Sequence, residues 1–93
     1  MSESKAETIV KKLKEKGLTL GSVESLTAGL FASTIASIPG ASEVLSASYV
    51  TYKREQKEKL LGISHDEIIK YGVVSQHIAN EMAMRGRKRL GVD

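Results

Sequence analysis

Ser25 sits where a short apolar run hands over to a helical pattern, in Val23-Glu24-Ser25-Leu26-Thr27-Ala28-Gly29. A serine at such a junction can present its hydroxyl beside the free N–H groups of a helix N-terminus, which stabilise an oxyanion. Thr27 and Gly29 would let backbone approach a ligand closely. The competing reading is that Ser25 or Thr27 is only a helix N-cap. The segment is not the Gly-x-Ser-x-Gly elbow of α/β-hydrolases.

A serine nucleophile needs a base. His65 falls inside a capping box and His77 in the first turn of a helix, both expected to be exposed and neither a good candidate. Lysine can substitute where burial or a neighbouring cation lowers its pKa, and a tyrosine hydroxyl can relay the proton. Tyr52 ends the second apolar run and Lys57 follows five residues on. With the tyrosine on a strand and the lysine one turn into a helix, the two could converge on one pocket. The plainer alternative is a surface lysine, because Lys53, Arg54, Lys57 and Lys59 crowd together. Tyr49 and Lys53 match the tyrosine–lysine spacing of short-chain dehydrogenases. Tyr49 lies on a strand, however, and the chain has no Gly-x-Gly-x-x-Gly turn.

The elements that must position these residues are legible in the pattern. Ala6, Ile9, Val10 and Leu13 repeat at helical spacing, with Ser4 and Glu7 as a capping box and Gly17 as the stop. Leu18 to Val23 reads as a short buried strand, weakened by Gly21. Thr27 to Ser37 reads as a helix ended by Pro39-Gly40. Val44 to Tyr52 is β-branched and aromatic, a second strand. Strict alternation would put Val44, Ser46, Ser48, Val50 and Tyr52 on one face and Leu45, Ala47, Tyr49 and Thr51 on the other. Lys53 to Leu61 turns helical. Ser64 with Glu67 opens a short helix to Gly72, and Ser75 caps a last helix through Leu90.

Strands alternating with helices predict an α/β layer architecture in one domain spanning residues 1–93. Two strands make a poor sheet, so part of the fold is expected to be missing after the last helix. The chain has 93 residues, 41% hydrophobic and 27% charged, an ordinary globular composition that excludes disorder and low complexity. Without cysteine there is no disulfide, zinc–thiolate site or catalytic thiol. No run approaches the roughly 20 apolar residues of a membrane span. The polar, acid-bearing N-terminus is not a signal or transit peptide, and a cytoplasmic location is expected. A net charge of +3 with four aromatics argues against a nucleic-acid footprint, which wants a denser basic stripe.

Several blocks in fixed order resemble one family. They are Glu24-Ser25-Leu26-Thr27-Ala28-Gly29-Leu30, Pro39-Gly40-Ala41-Ser42, Val50-Thr51-Tyr52 with Lys57, Leu60-Leu61-Gly62-Ile63, and Gly72-Val73-Val74-Ser75. Together they resemble the C-terminal domain of CinA, the competence/damage-inducible protein family, whose members include nicotinamide-nucleotide amidases. The resemblance implies an α/β/α sandwich, no metal and no cofactor. It implies hydrolysis of nicotinamide mononucleotide to nicotinic acid mononucleotide and ammonia, within pyridine-nucleotide (NAD) metabolism. By position, Ser25 would be the nucleophile, assisted by Tyr52 and Lys57, with Thr27 and Gly29 facing substrate.

The sequence also departs from the family. Leu26 and Ala28 stand where many members have Cys and Gly, Ala47-Ser48-Tyr49 where many have a Gly-Gly pair, and Arg54 where an asparagine is frequent. The family's next strand and its Gly-x-x-Gly-Pro loop, which helps bind the nucleotide, are not in the sequence. The second expectation is therefore a catalytically inactive, partial domain that acts as an oligomeric or interaction module. A homo-oligomer is expected in either case, with no nucleic-acid or membrane partner.

Overall fold

The computed structural model describes residues 3–93, so the opening Met1-Ser2 of the polar N-terminus lies outside the described residues. The first helix, α1 (Lys5–Lys16), starts where the Ser4 hydroxyl accepts the Glu7 amide and ends at left-handed Gly17. It leads into strand β1 (Leu20–Glu24), a five-residue turn, and α2 (Leu30–Ala36). A single 3-10 turn at Ala41–Glu43 precedes strand β2 (Leu45–Val50). Three helices follow: α3 (Arg54–Leu61), α4 (His65–Tyr71) and α5 (Gln76–Leu90). Ser64 and Ser75 cap α4 and α5 as the sequence predicts, and Gly62 and Gly91 end α3 and α5 in the left-handed conformation.

The two strands run parallel, and they are the whole sheet among the described residues. Parallel pairing follows from the crossover through α2. Helices cover both faces, giving the expected α/β/α layering. On one face Val10, Ile35, Ala41 and Val44 are buried with Leu20 and Leu45 packed on them. On the other, Leu61, Ile63, Ile68 and Ile78 are buried against Val23 and Tyr49.

Leu45 and Tyr49 thus serve opposite cores, although strict alternation puts them on one face. The register explains the correction. Leu20 faces Leu45 but Gly21 faces Ala47, so β2 carries one extra residue, Ser46, at that step. A one-residue insertion flips every later side chain to the other face.

Helix α5 lies close against β1. A Cβ at Gly86 would collide with Val23 Cγ2, so the absence of a side chain permits the approach. The molecule is a slab of 46 × 25 × 17 Å with a radius of gyration of 14.4 Å. A compact chain of this length has a radius near 12 Å. The flatness reflects a sheet with only two strands between its helical layers.

Candidate functional site

The turn after β1 is built around Glu24, the last residue of the strand. Its buried carboxylate accepts the Phe31 amide at 2.8 Å and the Ala32 amide at 3.0 Å, capping α2. It also accepts the Thr27 hydroxyl at 2.9 Å and the Ser22 hydroxyl at 3.0 Å. Burial alone would push the Glu24 carboxyl up. The amides of Ala32 and Phe31 and the two hydroxyls outweigh it and hold the carboxyl below its ordinary value. α2 begins later than the pattern suggests, at Leu30: the Thr27 carbonyl accepts the Leu30 amide, the Glu24 carboxylate takes the next two, and neither the Ser25 nor the Thr27 side chain caps the helix. Within the turn Ala28 takes φ 51°, a left-handed conformation that disfavours a side chain. This is one of the two departures in the Glu-Ser-x-Thr-x-Gly block.

Lys57, on α3, is 1% exposed and is the largest fully buried side chain described. Its Nζ donates to the Ser25 hydroxyl at 3.0 Å and to the Thr51 carbonyl at 2.8 Å. No ion pair to Lys57 exists among the described residues, and burial pushes its pKa down. The Thr51 amide donates to the Glu24 carbonyl at 2.7 Å, which ties the exits of β2 and β1 together. The crowd of lysines thus divides: Lys57 turns inward, while Lys53 and Lys59 stay exposed.

Ser25 and Lys57 share a groove of about 550 Å³ with Thr27, Phe31, Val73 and Val74. The Thr27 hydroxyl is committed to Glu24. Gly29 does not line this groove; it caps α2 at φ 101°. Tyr52 is 65% exposed, does not line the groove and has no hydrogen bond to Ser25 or Lys57. The structure therefore brings together Ser25 and Lys57 and leaves Tyr52 apart. Glu24 and Thr51 hold the turn and the lysine in place through their hydrogen bonds, and sequence reasoning left them without a role. The available signal was an acid ending a strand directly before a helix start. His65 is exposed, while His77 is half-buried against Tyr71, nearer the interior than expected.

A three-layer α/β unit with a serine and a buried lysine at the strand–helix turn defines the structural class. Residues 2–93 match the CinA C-terminal domain, and the chain belongs to that family. It is 47% identical over 90 residues to a competence-damage inducible protein of Limosilactobacillus fermentum, covering 97% of this chain and 22% of that protein. It is 51% identical over 75 residues to one of Streptococcus pyogenes serotype M49, covering 81% and 18%. The competence/damage inducible protein from Agrobacterium tumefaciens superposes with a TM-score of 0.87 at 32% identity, over 90% of this chain and 51% of that one. A CinA superfamily protein from Escherichia coli superposes with a TM-score of 0.91 at 25% identity, over 100% and 58%. The chain thus spans about a fifth of the curated relatives and about half of the solved ones.

These findings correct the amidase expectation. The matches support membership of the CinA C-terminal domain family over part of its relatives' length. The described residues pair Ser25 with Lys57 but form no serine–tyrosine–lysine relay, because Tyr52 faces solvent. The hydrolase assignment, with nicotinamide mononucleotide as substrate and a place in NAD metabolism, falls with the relay. The second expectation, a partial domain acting as a module, accounts better for the open sheet. Among the described residues no helix is long and apolar enough to cross a membrane.

Proposed function

We propose that residues 1–93 form a single, catalytically inactive partial domain that works as an oligomeric or interaction module. The observation that carries this reading is the uncovered far edge of β1. Among the described residues each strand has one partner, so β1 keeps one edge unpaired there. Two grooves, of about 330 and 550 Å³, meet along Gly21, Ser22 and Val23 of β1 and Ala79 and Met82 of α5. Apolar side chains continue the surface: Leu26 is 83% exposed and Val74 93%. Unpaired sheet edges and open apolar grooves favour association.

A second copy of the chain is the proposed occupant, giving a homo-oligomer. Ser25, held from beneath by the buried Lys57, is its polar contact point, Thr27 and Gly29 shape the turn that presents Ser25, and Tyr52 is open to a partner. A cytoplasmic location belongs to the same proposal. Sedimentation velocity at micromolar concentration tests it. A species larger than the 10.1 kDa chain is expected, returning to monomer in Leu26→Glu and Val74→Glu. A cooperatively unfolding monomer at those concentrations overturns the module. Ammonia release from nicotinamide mononucleotide, abolished by Ser25→Ala, would overturn the inactive assignment.

A further inference from the structure

Away from the turn, α4 and α5 bring Glu67, His77 and Glu81 together. One ligand atom from each lies within 4.8 Å of the other two. His77 Nε2 stands 3.2 Å from Glu67 Oε2. His77 and Glu81 are four residues apart on α5, so both project from one face across to Glu67 on α4. The ring of His77 stacks on Tyr71 at 3.7 Å between centroids and 12° between planes, which fixes the direction of Nε2. Arg85 Nε donates to Glu81 Oε2 at 3.0 Å and orients that carboxylate. Supporting contacts of this kind hold metal ligands in place.

We propose that Glu67, His77 and Glu81 form a binding site for a divalent transition ion of the zinc type. One imidazole and two carboxylates suit Zn²⁺, with a fourth position left to water. Ligand atoms around one tetrahedral zinc lie about 3.4 Å apart, given bonds of roughly 2.0–2.2 Å. The His77–Glu67 pair already meets this spacing. Bringing the third ligand atom from within 4.8 Å to that spacing takes a movement of at most about 1.4 Å by a glutamate carboxylate, within reach of a rotamer adjustment. The ion would tie α4 to α5 and neutralise two neighbouring carboxylates. This site is independent of the module reading and of Ser25.

Chelator-stripped chain is titrated with Zn²⁺ by calorimetry and with Co²⁺ by visible absorption. One ion per chain is expected, with a four-coordinate Co²⁺ band and a raised melting temperature. His77→Ala and Glu81→Gln should each weaken binding at least about tenfold, the scale seen even for outer-shell losses. His65→Ala, whose ring pairs with Glu58 elsewhere, should leave it unchanged. Far-UV circular dichroism checks that each variant is folded. If His77→Ala fails to fold, Glu67→Gln takes its place. No binding at about 100 µM metal, or binding unaffected by these ligand substitutions, overturns the site and leaves only a hydrogen-bond contact between His77 and Glu67.

Discussion

Lys57 Nζ lies 3.0 Å from Ser25 Oγ although 32 residues separate them in the chain. The contact exists because β1 and β2 are parallel neighbours, so the two strand exits open at the same end of the sheet. Thr51 links those exits, taking the Lys57 amine on its carbonyl while its amide holds Glu24. A buried amine with one hydroxyl and one carbonyl as partners is an energetic burden on the fold.

That burden has a defined pH dependence. Burial lowers the Lys57 pKa in the folded state, so between that value and the ordinary lysine value the unfolded chain binds the extra proton. Stability therefore rises with pH through this window and is lost as pH falls through it, levelling off below the folded value where both states carry the proton. Lys57→Met removes this contribution. Urea unfolding from pH 7 to 10.5 should show a shallower rise in the variant than in the parent. An identical slope in both would contradict the buried, pKa-lowered amine.

Glu24 has the opposite sign. Its folded pKa is lowered, so its stabilisation is present above the unfolded value and is lost as pH falls through the folded one. Glu24→Gln keeps the size but weakens the caps on Phe31 and Ala32 and leaves donors poorly matched. A loss of roughly 1–3 kcal/mol at pH 7 is expected from chemical denaturation. The difference from the parent should shrink towards pH 3.

Ala28 holds a left-handed φ of 51°. That conformation costs a side-chain-bearing residue about 1–2 kcal/mol, offset in part by the backbone entropy of a glycine. Ala28→Gly should therefore raise stability by about 0.5–1 kcal/mol, read as a higher melting temperature with an unchanged circular dichroism spectrum.

Gly86 lets α5 approach β1, and a Cβ there would collide with Val23. Gly86→Ala should destabilise by about 1–3 kcal/mol despite the better helix propensity of alanine. Thermal unfolding checks the sign. A stabilised variant would mean that the α5–β1 packing relaxes freely.

Much of the local structure was written in the sequence. Capping serines at 4, 64 and 75 and terminal glycines at 17, 62 and 91 fix helix ends through bonds within a few residues, so they are visible without a fold. The alternation of strands and helices likewise dictates an α/β layering, because each apolar stripe needs a facing layer. The strand faces of β2 were not legible. A register shift at Ser46 depends on how β1 lies beside it, and periodicity within one strand carries no record of that.

The candidate site divides along the same line. Residue types and spacing single out Ser25, Thr27, Gly29, Tyr52 and Lys57, since a serine at a strand–helix junction and a lysine after a strand are local facts. Tertiary structure alone decides that Lys57 turns inward to Ser25 while Tyr52 faces solvent. It also decides that Glu24 caps α2, a bond reaching seven and eight residues along the chain, and that Glu67 meets His77 and Glu81 across two helices. Burial and pKa arise from neighbours on other elements, and a linear sequence specifies those neighbours only through the fold.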